Sequence, residues 1–490
     1  MGCVLLHVIG FHRIHRFSEI GDIKRKEFVK DYLEKKGYSI NSNAFNIISK
    51  CRDWYENTLI EEFHKRKNLN GVEYELSKMN FAKRCCADDA NLCEIVSVAP
   101  EKEVASQSFI ELLLQENCFN TMYREQLEMM SATGTVGAYV YLENAQYVEN
   151  ENGMVAVKGG DIRIEYVDAE CIVPLTIKNK MITECAFCST DIVKGKEKTV
   201  LVVFSKNKNG LYDSETVVFD GQGKVVEEEH ITLHLGDVKP FAIMYNAEVN
   251  NLKEMKGYGF PKLYNSIPVL KALDLCWNIL FGDLGKGDKL IFINELLACL
   301  KRKKDGSLIL EPQQKEVFIL LGEKLPGEDT LIKEYNPEIR VEQITKVFEL
   351  LLSLLSMSFG YGTKKYNFEN GQIKTATEYI GEKQECMQEL NKQRNVAENY
   401  IKDIVRAAMW FSNTFNKTAY NVEEELSIEF DDSYIEDKAA KLESMRADAL
   451  SFAEVPILKV WYLMGKYNLS EEEAKGYLEN NEEEIDDLED

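Results

Sequence analysis

Val341-Glu342-Gln343-Ile344-Thr345-Lys346-Val347-Phe348-Glu349-Leu350-Leu351-Leu352-Ser353-Leu354-Leu355-Ser356-Met357-Ser358 decides how this chain is organised. Ile344, Phe348, Leu351 and Leu355 share one helical face, and Leu350, Leu354 and Met357 share another. A helix so nearly all-apolar is expected to be buried on every side. Asn336 and Pro337 precede it as a cap and a first-turn proline. A loop of about 16 residues, 359–374, follows, and loops of that length without structure of their own are usually functional or disordered. Thr375 and Glu378 then make a capping box for a helix predicted over 376–415. At 1.5 Å per residue that helix spans roughly 60 Å, a length no compact domain needs unless something packs along it. Rigid helix, loop and rigid helix together read as a moving part held in a packed assembly.

Upstream, residues 261–285 form a second apolar helix, with Pro261 in its first turn. Leu270, Leu273, Trp277, Leu280 and Leu284 repeat at a coiled-coil-like 3, 4, 3, 4 spacing. Between the two apolar helices lies a small α+β piece, 288–336, with strands expected at 289–293 and 317–321. The helices can therefore run antiparallel and present this insert at one end of a stalk. Residues 138–250 alternate polar and apolar and carry hairpin signals at Asn152-Gly153 and Asp220-Gly221, which predicts about five to eight antiparallel strands. Residues 18–130 read mostly as helices, over 24–36, 43–67, 80–93 and 104–130. The tail, 432–490, reads as three helices, the second opened by Pro456 and the third capped by Ser470 with Glu473. It ends in an acidic stretch.

The chain has 490 residues, enough for two to four domains or one elongated subunit. Its formal charge is -23, from 82 acidic and 59 basic residues, which argues against a general nucleic-acid binder. A protein that lets DNA slide past without sticking remains compatible with it. The twelve cysteines are scattered, as expected of reduced thiols in a cytosolic compartment. No apolar run reaches the roughly 18 residues of a membrane span. Residues 1–17 fit neither a secretion signal nor a myristoylation start.

No active site is legible. There is no phosphate-binding loop and no Gly-x-Ser-x-Gly elbow, and the pair Gly360 and Gly362 is a weak nucleotide signal. Cys185 and Cys188 form a lone CxxC inside a predicted strand, which reads as two core cysteines. His230 and His234 stand four apart in an alternating, strand-like context and so do not make a helical ligand pair. Asp431-Asp432 and Glu423-Glu424-Glu425 are isolated carboxylate clusters without a second partner set. Lys301, Arg302, Lys303 and Lys304 form either a solvated turn or a docking patch for an acidic partner or DNA. Lys364 and Lys365 are either solvated or placed to touch phosphates transiently as mobile point charges.

Four motifs stand in order: Asn80-Phe81-Ala82-Lys83-Arg84-Cys85-Cys86-Ala87-Asp88-Asp89-Ala90-Asn91, then Gly134-Thr135-Val136-Gly137-Ala138, then Gly257-Tyr258-Gly259 leading into Leu273-Asp274, then Lys374-Thr375-Ala376-Thr377-Glu378. In order and spacing the chain resembles the portal proteins of tailed double-stranded DNA bacteriophages, in the branch of long-tailed phages of Gram-positive bacteria. The resemblance covers roughly residues 25–480. It implies an α+β portal-type fold: a mixed wing at 18–260 and stem helices at 261–287 and 337–358. It places a small α+β clip at 288–336, a tunnel loop at 359–374, a long wing helix and following strand at 375–431, and a helical crown at 432–490. It also implies a ring, usually of twelve copies, with Leu270, Leu273, Trp277, Leu280, Leu284, Ile344, Phe348, Leu351 and Leu355 packing the stem. Lys364 and Lys365 would touch DNA, and residues 301–304 would dock partners.

The family has no enzymatic activity and needs no cofactor. It sits at one capsid vertex of the virion after assembly in the host cytoplasm, with terminase, the head-tail adaptor, and major capsid and scaffolding proteins as partners. Twelve such chains would carry about -276 charges, which would keep DNA phosphates centred rather than bound. Residues 1–17 have no counterpart in the family. Two other readings compete. A scaffolding or minor head protein would be more extended and polar than the β-rich middle allows. A metal-dependent nuclease would need a paired carboxylate motif.

Overall fold

The computed structural model describes residues 19–68, 70–100, 104–149, 155–193, 196–226, 230–287, 290–294, 300–302, 308–310, 318–321, 332–336, 338–363, 365–366, 376–430, 438–451, 455–467, 469, 471 and 474–478. The chain is mixed α+β and divides into two compact units, Met1–Ala90 with Leu112–Glu423, and Asn91–Glu111 with Glu424–Asp490.

In chain order the elements begin with helices α1 (Glu19–Lys35), α2 (Ser42–Tyr55) and α3 (Glu61–His64), and strands β1 (Lys65–Lys67) and β2 (Glu73–Glu75). Helix α4 (Phe81–Ala90), strand β3 (Ile95–Pro100) and helices α5 (Val104–Glu116) and α6 (Phe119–Thr133) follow. Then come β4 (Thr135–Glu143), β5 (Gln146–Glu149), β6 (Val155–Lys158), β7 (Asp161–Asp168), β8 (Ile172–Lys178), β9 (Met181–Val193) and β10 (Lys196–Lys206). The β region closes with β11 (Tyr212–Phe219), β12 (Ile231–His234) and β13 (Phe241–Tyr245). Next are helix α7 (Lys262–Lys286), strands β14 (Leu290–Asn294), β15 (Leu300–Arg302), β16 (Leu308–Leu310), β17 (Phe318–Leu321) and β18 (Ile332–Tyr335), and helix α8 (Val341–Ser358). Helix α9 (Ala376–Phe415), strand β19 (Leu426–Phe430) and helices α10 (Lys438–Ser451) and α11 (Pro456–Tyr467) come next, and residues 474–478 are helical as well.

The first unit is layered. A five-stranded antiparallel sheet, in the order β12-β11-β10-β9-β8, carries α1 on one face. Val29 and Leu33 of α1 pack there on Ala186, Leu201, Val203, Val217 and Phe219. Because side chains alternate along a strand, Phe187 and Phe204 point to the other face. They meet Tyr139 and Phe241 of a second sheet, β13-β4-β7, with ring centroids 5.0 to 5.7 Å apart. Helix α6 closes on this second sheet through the Gln126 amide, which donates to the Gly137 carbonyl at 2.7 Å. Helix α9 joins by the bond from Tyr400 Oη to Gln126 Oε1. In the second unit β3 and β19 form an antiparallel pair, and the buried Ser106 hydroxyl donates to Glu424 at 2.8 Å.

Several expectations change. The helix predicted over 43–67 ends at Tyr55, because Asn57 turns left-handed at φ +57°; α3 and β1 follow separately. The helix over 104–130 breaks at Cys118, φ +49°. There the Asn117 side chain donates to Leu113 O and accepts from the Ile164 amide, so a tertiary bond replaces a helical one. The β region holds ten described strands rather than five to eight. The described residues of the 288–336 insert are strands without a helix, and β14 pairs parallel to β17. The N-cap of α8 is Arg340, whose side chain makes no capping bond, not Asn336, and Pro337 lies outside the described residues. Also outside them are residues 1–17, Asn152-Gly153, Asp431-Asp432, Thr375, Ser470, Glu473 and the end of the acidic tail.

Glu165 of β7 stands opposite Tyr139, where burial pushes its carboxyl up to about 7 from an ordinary 4.5. A raised carboxyl favours the fold while protonated. That contribution is complete below about pH 4.5 and is lost as pH rises to about 7. Glu165→Gln is therefore expected to flatten the melting temperature across this window and to raise it at pH 8. An unchanged pH profile by calorimetry would refute this.

Candidate functional site

Helices α7 and α8 run antiparallel. Ser266 Oγ lies 2.8 Å from Ser358 Oγ at one end, Cys276 Sγ 3.8 Å from Ile344 O midway, and Arg340 holds Asp283 with two bonds of 2.8 and 2.9 Å at the other. The five strands β14 to β18 are inserted where the pair turns back. Leu270, Leu273, Ile344, Phe348 and Leu355 are buried. Trp277, Leu280 and Leu351 are half-buried, and Leu284 is exposed. The physical reason is drift: a straight helix departs by about 20° per heptad from a 3.5-residue stripe. Cys276 on α7 and Leu352 on α8 are buried in addition.

Helix α8 is not buried on every side, which corrects the sequence expectation. Val347, Leu350, Leu354 and Met357 form an outward stripe, with Leu350 61% exposed. On α7, Leu275, Ile279, Phe281 and Leu284 are exposed as well. Apolar surface of this extent on a helix pair marks an interaction face.

Three of the four sequence motifs meet at the start of α7, through Asp89, through Gly134 and Thr135, and through Gly259; Lys374 and Thr375 of the fourth lie outside the described residues. Lys262 is fully buried in its first turn, with its Nζ 2.8 Å from Asp89 Oδ1 of α4 and 2.8 Å from Glu389 Oε1 of α9. Tyr361, just past α8, donates its hydroxyl to Asp89 Oδ1 at 2.9 Å. Burial alone would pull the Lys262 ammonium down, but the two carboxylates outweigh it and hold the ammonium above its ordinary value. Burial raises the nearby Glu248 carboxyl, and Lys262 opposes that rise. One ammonium thus ties α4, α7, α9 and the segment after α8. None of Lys262, Glu389 or Tyr361 stands out in the sequence, because the partners lie far apart along the chain.

Two glycines make the same junction possible. Gly134 has φ +86°, and a Cβ there would meet Gly259 O at 2.5 Å. A Cβ on Gly259 would sit 2.1 Å from Gly134 O. The crossing is fixed by the Asn246 amide donating to Gly134 O at 2.9 Å and the Gly259 amide donating to Thr135 Oγ1 at 2.7 Å.

Asp274 of α7 and His64 are buried together, Nε2 to Oδ2, at 3.2 Å. His64 Nδ1 accepts the Ile60 amide at 3.1 Å, so the proton sits on Nε2 and points at Asp274. The other Asp274 oxygen accepts the Met79 amide at 2.9 Å. With both ring nitrogens engaged, this dyad is arranged to brace α7 rather than to take a proton from a nucleophile.

His230 precedes β12 and His234 is its last residue, in the strand setting expected, and they pair separately with Glu215 and Asp213, at 2.8 and 2.9 Å. Cys185 and Cys188 lie on β9, three residues apart and so on opposite faces. Among the described residues no group of three or more His, Cys, Asp or Glu could hold a metal ion. Among them, too, no helix is long and apolar enough to cross a membrane. Lys301 and Arg302 belong to β15, while Lys303, Lys304 and Lys364 lie outside the described residues. Lys365 Nζ lies 5.4 Å from the centre of the Tyr361 ring, in cation–π contact.

No family model and no curated protein matches the chain. Among solved structures it is similar to one titled "Neck of native GTA particle computed with C12 symmetry", at 9% identity and a TM-score of 0.38, over 78% of this chain and 89% of that one.

Proposed function

We propose that this chain is the subunit of a phage portal, a ring at one capsid vertex through which DNA enters and leaves. The observation that carries the reading is the antiparallel α7/α8 pair, which brackets a small strand insert and leaves an apolar stripe uncovered. Neighbouring copies would cover that stripe, as stem helices do in the family that the sequence motifs resemble. In this role the chain is structural and catalyses nothing. It works without a cofactor, within the virion. The insert with Lys301, Arg302, Lys303 and Lys304 would dock terminase and later the head-tail adaptor, while capsid and scaffolding proteins surround the ring. The acidic bulk of the chain would keep DNA mobile in the channel.

Leu350→Glu with Leu354→Glu tests the stem. Both residues are exposed in the single chain, so its own melting temperature should hold, while assembly is expected to fail in light scattering and negative-stain images. Rings that form as before would refute the stem assignment. Lys364→Glu with Lys365→Glu is expected to reduce DNA retention in packaged heads, since each lost phosphate contact weakens binding and its salt dependence. Unchanged packaging and retention would remove these two lysines from the reading.

A further inference from the structure

The ribbon made by β1 and β2 buries none of its described residues in its own chain, although Arg66 lies over the ring of Phe63. Every described residue from Lys65 to Glu75 is exposed, whereas His64 before it and Leu76 after it are buried. Two short strands alone are marginal in water, and this ribbon is held by hydrogen bonds at its turn and at its base. The Asn68 side chain accepts the amides of Asn70 and Val72 at 3.0 and 2.9 Å. The Gly71 amide donates to Asn68 O at 2.9 Å, with Gly71 at φ +77°. At the base, the Leu76 amide donates to His64 O at 2.9 Å. Ser77 and Asn278 of α7 exchange bonds of 2.9 and 2.8 Å. A pre-ordered projection loses little entropy on binding.

We propose that this ribbon is an arm that docks on a second copy of the same chain. The inference rests on the ring reading above and adds the contact that a neighbour would receive. Two features point to a copy. Val72 and Tyr74 expose apolar surface on the ribbon, and Ser77 at its base is tied to Asn278 of α7, the helix on which Leu275 and Ile279 are also exposed. The strand β1 carries Lys65, Arg66 and Lys67 in a row on a chain whose net charge is -23, with Glu73 and Glu75 on the facing strand and Glu61 paired with Lys65 at the base. Copies so acidic repel across most of their surface, and a cationic strand can approach an acidic neighbour without that cost. Lys67 pairs with Glu73 at 3.0 Å but stays 70% exposed, so the local pair is weak and exchangeable.

Sedimentation of the full-length chain across a dilution and salt series tests the arm. Two variants are compared with the unmodified protein: Val72→Asp with Tyr74→Asp, and Lys65→Glu with Lys67→Glu. Each is expected to dissociate at a concentration at least about tenfold higher, with the melting temperature of the dissociated chain unchanged. Unmodified protein that assembles, with dissociation the same in both variants, overturns the arm and leaves the ring reading intact. Unmodified protein that never self-associates overturns both.

Discussion

Replacing Lys262 by methionine is expected to cost roughly 3–5 kcal/mol, because it strands Asp89 and Glu389 as buried carboxylates without their shared cation. The shape of the side chain is nearly kept, so the loss reports charge rather than packing. The Tyr361 bond to Asp89 would not compensate, since one hydroxyl contributes only about 1 kcal/mol. Adding Asp89→Asn and Glu389→Gln should recover most of the loss, because removing every charge of a buried cluster is often close to neutral. Denaturant melts of the single and triple variants distinguish the cases. A single variant as stable as the parent would show that the ion cluster does not hold this junction.

Gly259→Ala should be nearly as damaging, at roughly 3 kcal/mol or more. Its Cβ would lie 2.1 Å from Gly134 O and 2.9 Å from the Asn246 amide nitrogen, and all of these are backbone atoms that cannot rotate away. Relief would require separating the entry to α7 from the start of β4, and with it the Lys262 cluster. Gly282 is the control. It lies within α7 with no atom inside 4 Å of an added Cβ, so Gly282→Ala should stabilise by about 0.5–1 kcal/mol. Melting temperatures that move the same way in both variants would contradict this account of the crossing.

The long helices were legible in the sequence. The bounds expected for α9 agree with Ala376–Phe415 and the end of α8 with Ser358, whereas α8 starts at Val341 rather than behind an Asn336 cap, and α7 is shifted by one residue at each end. Sustained apolar periodicity and proline or glycine punctuation carry that information locally. The breaks at Asn57 and Cys118 were not legible, because each depends on a left-handed residue whose alternative bonds come from distant strands or turns. The outward stripe of α8 was misread for a different reason. Apolar periodicity reports that a face will be covered, not whether its own chain covers it. The junction at Lys262 was half legible. Gly134, Gly137, Gly257 and Gly259 stood out as motif residues, and Asp89 lay inside another motif. A lysine in a first helical turn, however, reads as solvated until the fold brings α4 and α9 around it.

The central claim, that this chain builds a ring through its stem helices, is tested most directly by the mass and symmetry of the purified full-length protein. Light scattering with negative-stain imaging supplies both. The account predicts closed rings of about twelve copies around a central hole. A compact dimer with a closed core, stable across concentration, would contradict it.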